Sequence, residues 1–404
     1  MVGSAMVSLP WAFQTSGILL GLIISFTSFV ISYYTCALII KTTKNDTDYV
    51  FTLRKYYGKL GFYIGLIGPT ILIFGAITVY FVVIVQSLYP LFYVIGTKLI
   101  HISMPYIDPN TPPYCHLDSF SASWIALLMY VLLVSASMKK DLTVFIRLSS
   151  IGVICVICLI LFVIGFGVYS IVVTDYEFKL DPAKDEGYHP DISTVLLFNS
   201  QFSNLAGCLC AGYFIHQVSI PIISNAADPS KNLRNVFLGY LLVFLCYITV
   251  GSLGYFAFTG KYFESKRDKD TGQIPIEDNF LNMFEYDQTP AIIMRTMISI
   301  QLCCSYPLVN HFQRMILVNL FWKDIPTVHE LSKTRFYSLN IGISLIPLIF
   351  ALFYPKIGAI LSYAASISGF FMIYVIPVMA YMKMKKLEIT HPLLADALQQ
   401  NEVQ

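Results

Sequence analysis

The sequence predicts an all-α membrane protein that crosses the bilayer many times. Of its 404 residues, 56% are hydrophobic and only 12% carry a formal charge, about half of the roughly 25% that is usual in a soluble domain. Polar side chains are therefore too few to cover a globular surface in water. The hydrophobic residues also fall in continuous runs of about 20, the length that a helix needs to cross the hydrocarbon core.

Ten hydrophobic segments follow one another along the chain. Each is expected to be helical because an unpaired backbone amide in lipid costs several kcal/mol, whereas a β-barrel would show segments of about ten residues with alternating polarity. The first segment has no basic region before it and continues into the second span, so it does not read as a cleavable signal peptide. We expect it to be the second half of a partial first helix. The segments are 1–17, 18–40, 62–97, 120–137, 149–173, 194–224, 236–260, 290–310, 336–354 and 357–382.

The distribution of basic residues predicts the orientation, because cytoplasmic loops carry an excess of Lys and Arg. If the end of the second span at Lys41 faces the cytoplasm, the cytoplasmic pieces hold 16 of the 26 basic residues. The loops on the other side are longer and richer in Asp and Glu. The predicted cytoplasmic pieces are 41–59, 138–141, 228–234, 314–335 and a polar tail at 383–404.

Spans one and six carry small residues and prolines at matching places. Span one has Gly, Ser and Ala at 3–5 and then Pro10, and span six has Gly207, Gly212 and then Pro221. Five spans separate the two stretches. In secondary transporters, a pair of Gly/Pro-interrupted segments at corresponding positions of two repeats points to the binding site. The alternative for either span alone is close helix packing, which small residues also serve.

Two unwound helices would suit an α-amino acid. An interrupted helix leaves unpaired amides where one half begins and unpaired carbonyls where the other half ends. Amides and the positive end of the helix dipole bind a carboxylate, and carbonyls bind an ammonium group or Na⁺. A zwitterion needs both kinds of group within a few ångströms of each other.

At these residues a family becomes recognisable. Residues 3–17 resemble the first-helix signature of the amino acid/auxin permease superfamily, and 213–221 followed by Asp228-Pro229-Ser230 is similar to its sixth-helix stretch and the loop after it. Further matches cover nearly the whole chain. Within the superfamily the chain resembles the sodium-coupled neutral amino acid transporter family, and in particular its lysosomal, arginine-sensing branch.

The resemblance implies a leucine-transporter-type fold, a 5+5 inverted repeat with discontinuous helices one and six. One transporter domain would occupy 1–382, with repeat one at about 1–173 and repeat two at about 194–382. The family has eleven helices, and relative to that pattern the first helix here is partial and the eleventh is absent. The polar tail takes the place of the last span.

The resemblance also implies site residues. Main chain at both breaks would hold the substrate, and Tyr80 on span three would cover it, although a tyrosine whose hydroxyl caps a neighbour is an equal alternative. Ser4 and Ser305 would bind Na⁺. A register shift of one residue would substitute Cys304, a poor Na⁺ ligand, so coupling to H⁺ stays open and no other cofactor or metal is expected. The substrate-binding candidates are Gly3, Ser4, Ala5, Tyr80, Gly212, Tyr213 and Phe214.

His216 ends the small-residue stretch of span six. An ionisable group inside the membrane is a functional candidate by default, and a histidine titrates in the range of an acidic organelle. The alternative is a neutral ring that hydrogen-bonds a neighbouring carbonyl and secures the break. Cys155, Cys158, Cys208 and Cys210 lie in apolar helix without a second ligand pair, and we interpret them as small hydrophobic residues.

The sequence thus predicts a secondary active transporter that carries amino acids by alternating access. The alternative is a sensor that binds an amino acid and signals to a cytosolic complex with little flux. A channel would show rings of like charge or a filter loop, an enzyme would show a nucleophile with its base, and the net charge of +2 does not favour nucleic acid. The partners expected are the amino acid and the lipid bilayer.

Substrate and compartment stay open. No acidic side chain lies within either break, which favours neutral amino acids, whereas the resemblance favours arginine. A lysosomal or vacuolar membrane follows from the resemblance alone, and the plasma membrane is the alternative.

Overall fold

The computed structural model describes residues 5–43, 49–109, 111–140, 142–180, 192–223, 226, 228–268, 273–322 and 328–390. In that part of the chain, twelve α-helices and two short strands follow one another. The helices are α1 (Ala5–Ser16), α2 (Ile18–Thr43), α3 (Tyr49–Val94), α4 (Ala122–Ala136), α5 (Leu142–Val173), α6 (Ser203–Gly212), α7 (Ser219–Ile223), α8 (Asn232–Thr259), α9 (Thr289–Phe321), α10 (Lys333–Phe353), α11 (Ile357–Ala364) and α12 (Ile376–Thr390).

Six of the described helices are long and apolar enough to cross a membrane, which agrees with a multi-pass protein. These six comprise α2, α3, α5, α8, α9 and α10, and α4 is a shorter apolar helix. Each of these helices coincides with a predicted span. Their outward faces carry large apolar side chains such as Phe26, Ile154 and Leu242, which is the surface that lipid requires.

The third helix begins earlier than the predicted span. Residues 49–57 form a helical segment that the sequence analysis places in a cytoplasmic loop, and Gly58 separates it from the long span with a left-handed backbone at φ 61°. That conformation is costly for any residue with a Cβ and is readily adopted by glycine. The chain therefore turns sharply at Gly58 and enters the membrane after it.

Four further boundaries differ from the prediction. Span six does not begin as a helix at Thr194: Ile192–Leu196 is a strand, β2, that pairs in parallel with Asp175–Lys179, β1. Helix α9 continues to Phe321, which places Arg314 inside a helix instead of a cytoplasmic loop. Helix α12 continues to Thr390, eight residues into the predicted polar tail, and the rest of that tail lies outside the described residues.

Helix α1 lies in the interior of the bundle. Its side chains Met6, Leu9, Ala12 and Phe13 are fully buried. It packs against α8 and α6, and more lightly against α2. The apolar character that identified this segment as a span thus serves contacts with other helices more than contact with lipid.

Candidate substrate-binding site

The sixth span is interrupted where the sequence predicts it. Helix α6 ends at Gly212, residues 213–218 form turns, and the short helix α7 starts at Ser219. Two backbone bonds tighten the end of α6, from Tyr213 N to Leu209 O at 2.8 Å and from Phe214 N to Ala211 O at 3.4 Å. The main chain of this segment is thus released from regular helical bonding in the middle of the span.

Two tyrosines of α8 hold the carbonyl end of the break. The Tyr247 hydroxyl donates to Gly212 O at 3.2 Å, and the Tyr240 hydroxyl donates to Tyr213 O at 3.2 Å. Both phenols are fully buried. The Tyr247 ring approaches Gly212 so closely that a Cβ on Gly212 would lie 2.7 Å from its Cε2. A side chain larger than hydrogen has no room at this position.

Helix α1 faces the broken helix, as the two-break hypothesis requires. The two helices are in direct contact, and Ala5 is buried at the first described position of α1. Because α1 begins here, the first backbone amides of the helix have no intrahelical acceptor. Gly3 and Ser4 lie outside the described residues, so of the three predicted residues of span one only Ala5 is placed.

The predicted aromatic residues line the break in different ways. Tyr213 is fully buried, with its ring 5.4 Å from that of Tyr247, and its hydroxyl has no hydrogen-bond partner among the described residues. Phe214 is partly buried and stacks on His216 with centroids 6.4 Å apart. Tyr80, on α3, is partly buried and packs against the same core. Its role as a cover over a ligand stays a prediction.

Helix α11 connects α3 and α6, and the sequence analysis does not include it in the site. Gly207 of α6 lies against Ser362, and Gly75 of α3 lies against Ala364. Directly after α11, residues 365–369 and 371–375 form π-helical turns, which often occur at functional sites. The signal that could have found it is the run of small residues at 364–369, which has the same composition as 3–8.

The predicted ion ligands are present on one side only. Ser305 is partly buried on α9 and accepts a hydrogen bond from Gln301 Nε2 at 3.3 Å, and Cys304 beside it is partly buried. Since Ser4 lies outside the described residues, the cation site predicted between spans one and eight is represented by α9 alone. It stays a prediction.

His216 is 1% exposed and packs against α2. The Thr35 hydroxyl donates to Ile31 O at 2.9 Å, so it meets His216 Nε2 at 3.0 Å as an acceptor. This assigns the ring proton to Nε2. A buried imidazole that donates to a neutral hydroxyl fits an uncharged ring that fastens the break to α2, which favours the structural alternative. Sensing of pH by this residue stays a prediction.

A loop covers the side of the bundle predicted to be exoplasmic. We call residues 273–287 the cover. Gln14 of α1 fixes it with two bonds of 2.8 Å, from its Nε2 to Ile274 O and from Ile276 N to its Oε1. Asn279 donates to Gln86 of α3 at 3.1 Å. The cover therefore joins the helices whose separation would open the site to this side.

Asp278 ties the cover to α11. Its Oδ2 accepts from Gly358 N at 2.9 Å, which satisfies an amide in the first turn of that helix. Burial raises the pKa of Asp278, and the Gly358 amide and Lys356 oppose this shift. Burial also raises the pKa of the neighbouring Glu277. The two carboxyl groups thus hold protons more tightly here than in water.

An open cavity of about 330 Å³ lies at the other end of the break. It reaches the surface on the predicted cytoplasmic side, since residues from the start of α3 line it. It is bounded by the break, by α3 and by α9, through Val50, Leu66, Gln217, Val218, Phe312, Met315, Ile316 and Asn319. The break therefore lies between a covered side and a more open side.

Comparison with known proteins agrees with this architecture. Residues 1–393 match the family described as "Transmembrane amino acid transporter protein". The chain is 25% identical to "Neutral amino acid transporter 9" of Danio rerio, over 95% of this chain and 72% of that protein. It is 24% identical to "Sodium-coupled neutral amino acid transporter 9 homolog" of Caenorhabditis elegans, over 95% and 66% respectively. The Rattus norvegicus "Neutral amino acid transporter 9" is 24% identical over 94% of this chain.

Proposed function

Because this chain belongs to the family of transmembrane amino acid transporter proteins, we propose that it is a secondary active carrier that moves amino acids by alternating access. The single observation that carries the mechanism is the interruption of α6 at 213–218, opposite α1. A main chain released from helical bonding inside a multi-pass bundle can recognise a zwitterion without charged side chains.

The proposed site lies between spans one, three, six and eight, with α11 as a further wall. The substrate carboxylate would bind the free amides at the start of α1, and its ammonium group would bind carbonyls at the end of α6. Gly212 O and Tyr213 O each accept from a phenol, but a carbonyl oxygen has two lone pairs and can accept again. In this scheme spans one to five and six to ten form two inverted repeats.

We propose a neutral amino acid as the substrate, since residues 213–218 contain no acidic side chain and the relatives from Danio rerio and Rattus norvegicus are named as neutral amino acid transporters. The coupling ion is Na⁺, held in part by Ser305, or H⁺. The name of the Caenorhabditis elegans relative supports sodium. The sequence resemblance supports a lysosomal or vacuolar membrane.

Uptake into proteoliposomes tests the proposal. A mixture of labelled amino acids is offered under an inward Na⁺ gradient, an inward H⁺ gradient, or neither. We expect saturable accumulation under one gradient, and a loss of at least tenfold in Gly212→Ala, whose Cβ has no room against Tyr247. Gly239→Ala, with open space at its Cβ on α8, is the matched control.

Failure of uptake under both gradients contradicts the carrier. The amino acid sensor is distinguished in the same preparation by the thermal unfolding temperature. A sensor would be stabilised by its amino acid in the wild type, and less so in Gly212→Ala, while flux stayed at the level of empty liposomes.

A further inference from the structure

Three helix ends meet on the predicted cytoplasmic side around a small core of their own. Ile39 of α2, Tyr49 and Leu53 of α3, Ile220 of α7 and Ala380 of α12 are buried against one another. The Tyr57 hydroxyl adds a hydrogen bond of 2.9 Å to Met379 O, which joins α3 to α12. The relative positions of these ends are therefore fixed by packing.

The first segment of α3 lies at the surface as a two-sided helix. Tyr49, Val50 and Leu53 point inward and are buried, whereas Phe51 and Arg54 are exposed. The left-handed turn at Gly58 follows, and then exposed apolar residues begin with Leu60, which is 68% exposed. A helix with a basic outer face directly before a lipid-facing run has the composition of a segment at the membrane interface.

Basic side chains converge on these ends, and acidic ones do not. Within the described residues 36–43, 49–60 and 376–390 there is one acid, Glu388, which pairs with Lys385 at 2.8 Å. Of the bases, all but Lys55 are exposed. We call this set the basic platform, and it consists of Lys41, Arg54, Lys55, Lys59, Lys383, Lys385 and Lys386.

Other cations on the same side are occupied by the protein itself. Arg314 is fully buried and donates to Ser137 O at 2.9 Å. Lys140 donates to Leu331 O at 3.1 Å, and the Arg335 guanidinium lies 5.9 Å from the Trp322 ring centroid. An excess of cytoplasmic basic residues is expected in any membrane protein. The platform differs because its charges are clustered and directed to solvent at the height where lipid begins.

We propose that the basic platform binds the phosphate headgroups of anionic phospholipids in the cytoplasmic leaflet. Exposed cations within a Debye length of an anionic surface attract its lipids. The apolar residues that follow Gly58 would contact the acyl chains of the same lipid, so an intact lipid binds more tightly than its headgroup alone. The inference uses the predicted orientation and does not depend on transport.

The test uses the full chain purified in detergent, titrated with dioctanoyl phosphatidylinositol bisphosphate. Dioctanoyl phosphatidylcholine and free inositol trisphosphate are titrated in parallel. We expect binding of the anionic lipid that weakens as NaCl rises. The double variant Lys383→Gln/Lys386→Gln should bind at least tenfold more weakly, because each cation near the surface contributes roughly fivefold. The control Lys333→Gln/Arg335→Gln removes two exposed charges from the start of α10, on the same side, and should stay within twofold of wild type.

An equal loss in both double variants would overturn the proposal, because it would show a diffuse effect of net charge. Equal affinity for inositol trisphosphate and for the lipid would also overturn it, in favour of a soluble phosphate ligand. If the platform variant unfolds, the wild-type salt dependence decides: binding that does not change with NaCl contradicts an electrostatic site.

Discussion

Removal of the Tyr247 hydroxyl should loosen the break in α6. In Tyr247→Phe the ring stays in place and only the 3.2 Å hydrogen bond to Gly212 O is lost. Both groups are buried, and the carbonyl belongs to a helix end that has no following turn to satisfy it. Leaving a buried polar group with one fewer partner costs about 1–3 kcal/mol. If that cost falls on the binding-competent conformation, amino acid affinity decreases by about fivefold to 150-fold.

The measurement is amino acid binding by the purified protein, followed by the ligand-induced change in thermal unfolding, with unfolding without ligand as the stability readout. Tyr34→Phe on α2 is the control, because that side chain is 58% exposed and loses only a solvated hydroxyl. Tyr240→Phe should behave like Tyr247→Phe because it removes the bond to the adjacent carbonyl.

Since the two bonds hold neighbouring peptide groups, the double variant should lose less than the sum of the single losses. If Tyr247→Phe unfolds and binds like Tyr34→Phe, the phenols do not maintain the break, and the reasoning about the site is refuted.

Three further perturbations test other contacts of the site. Gly212→Ala places a Cβ 2.7 Å from the Tyr247 ring, and overpacking of this kind should lower the free energy of unfolding by about 1–3 kcal/mol in denaturant titration. Thr35→Val removes the acceptor of His216 Nε2 and should cost about 1–3 kcal/mol by the same measurement, whereas Thr35→Ser keeps the hydroxyl and should cost less. Burial raises the pKa of Asp278, so its stabilising contribution is complete below the ordinary aspartate pKa of about 3.9 and is lost as pH rises through the higher native value. Asp278→Asn should therefore show a smaller decrease in unfolding temperature with rising pH than the wild type, and an identical pH dependence would contradict this assignment.

The sequence predicts the spans and the break well because both depend on local composition. An uncharged run of about 20 residues has few alternatives to a membrane helix, and the glycines before His216 mark the interruption of span six within a few residues. The strand β2 is missed because Val195 and Leu196 have the same hydropathy as the span they precede. Its partner, Asp175–Lys179, is far away in sequence, so no local pattern indicates the pairing.

Arg314 shows why charge is an imperfect marker of loops. A guanidinium at the end of an apolar run predicts the membrane boundary, and here the helix continues past it to Phe321. The side chain is buried because it finds acceptors in the main chain after α4, at Ser137 O and Lys139 O, with His311 Nδ1 at 2.9 Å. The contribution of α11 is missed for a related reason. Its contacts with Gly75 and Gly207 come from tertiary packing, and its own sequence reads as an ordinary span.

The arrangement of the break also bears on which amino acids the site would accept. Recognition through main-chain groups provides for the carboxylate and ammonium that all α-amino acids share. It provides no counter-charge for a cationic side chain, since residues 213–218 have no acid. The carboxylate of Asp278 interacts electrostatically with Cys208 of α6, but the Gly358 amide already occupies it. A lysine or arginine side chain would therefore enter an unpaired and buried environment, at a cost of several kcal/mol, whereas a neutral side chain would not. The contacts that hold the break open thus also favour neutral substrates.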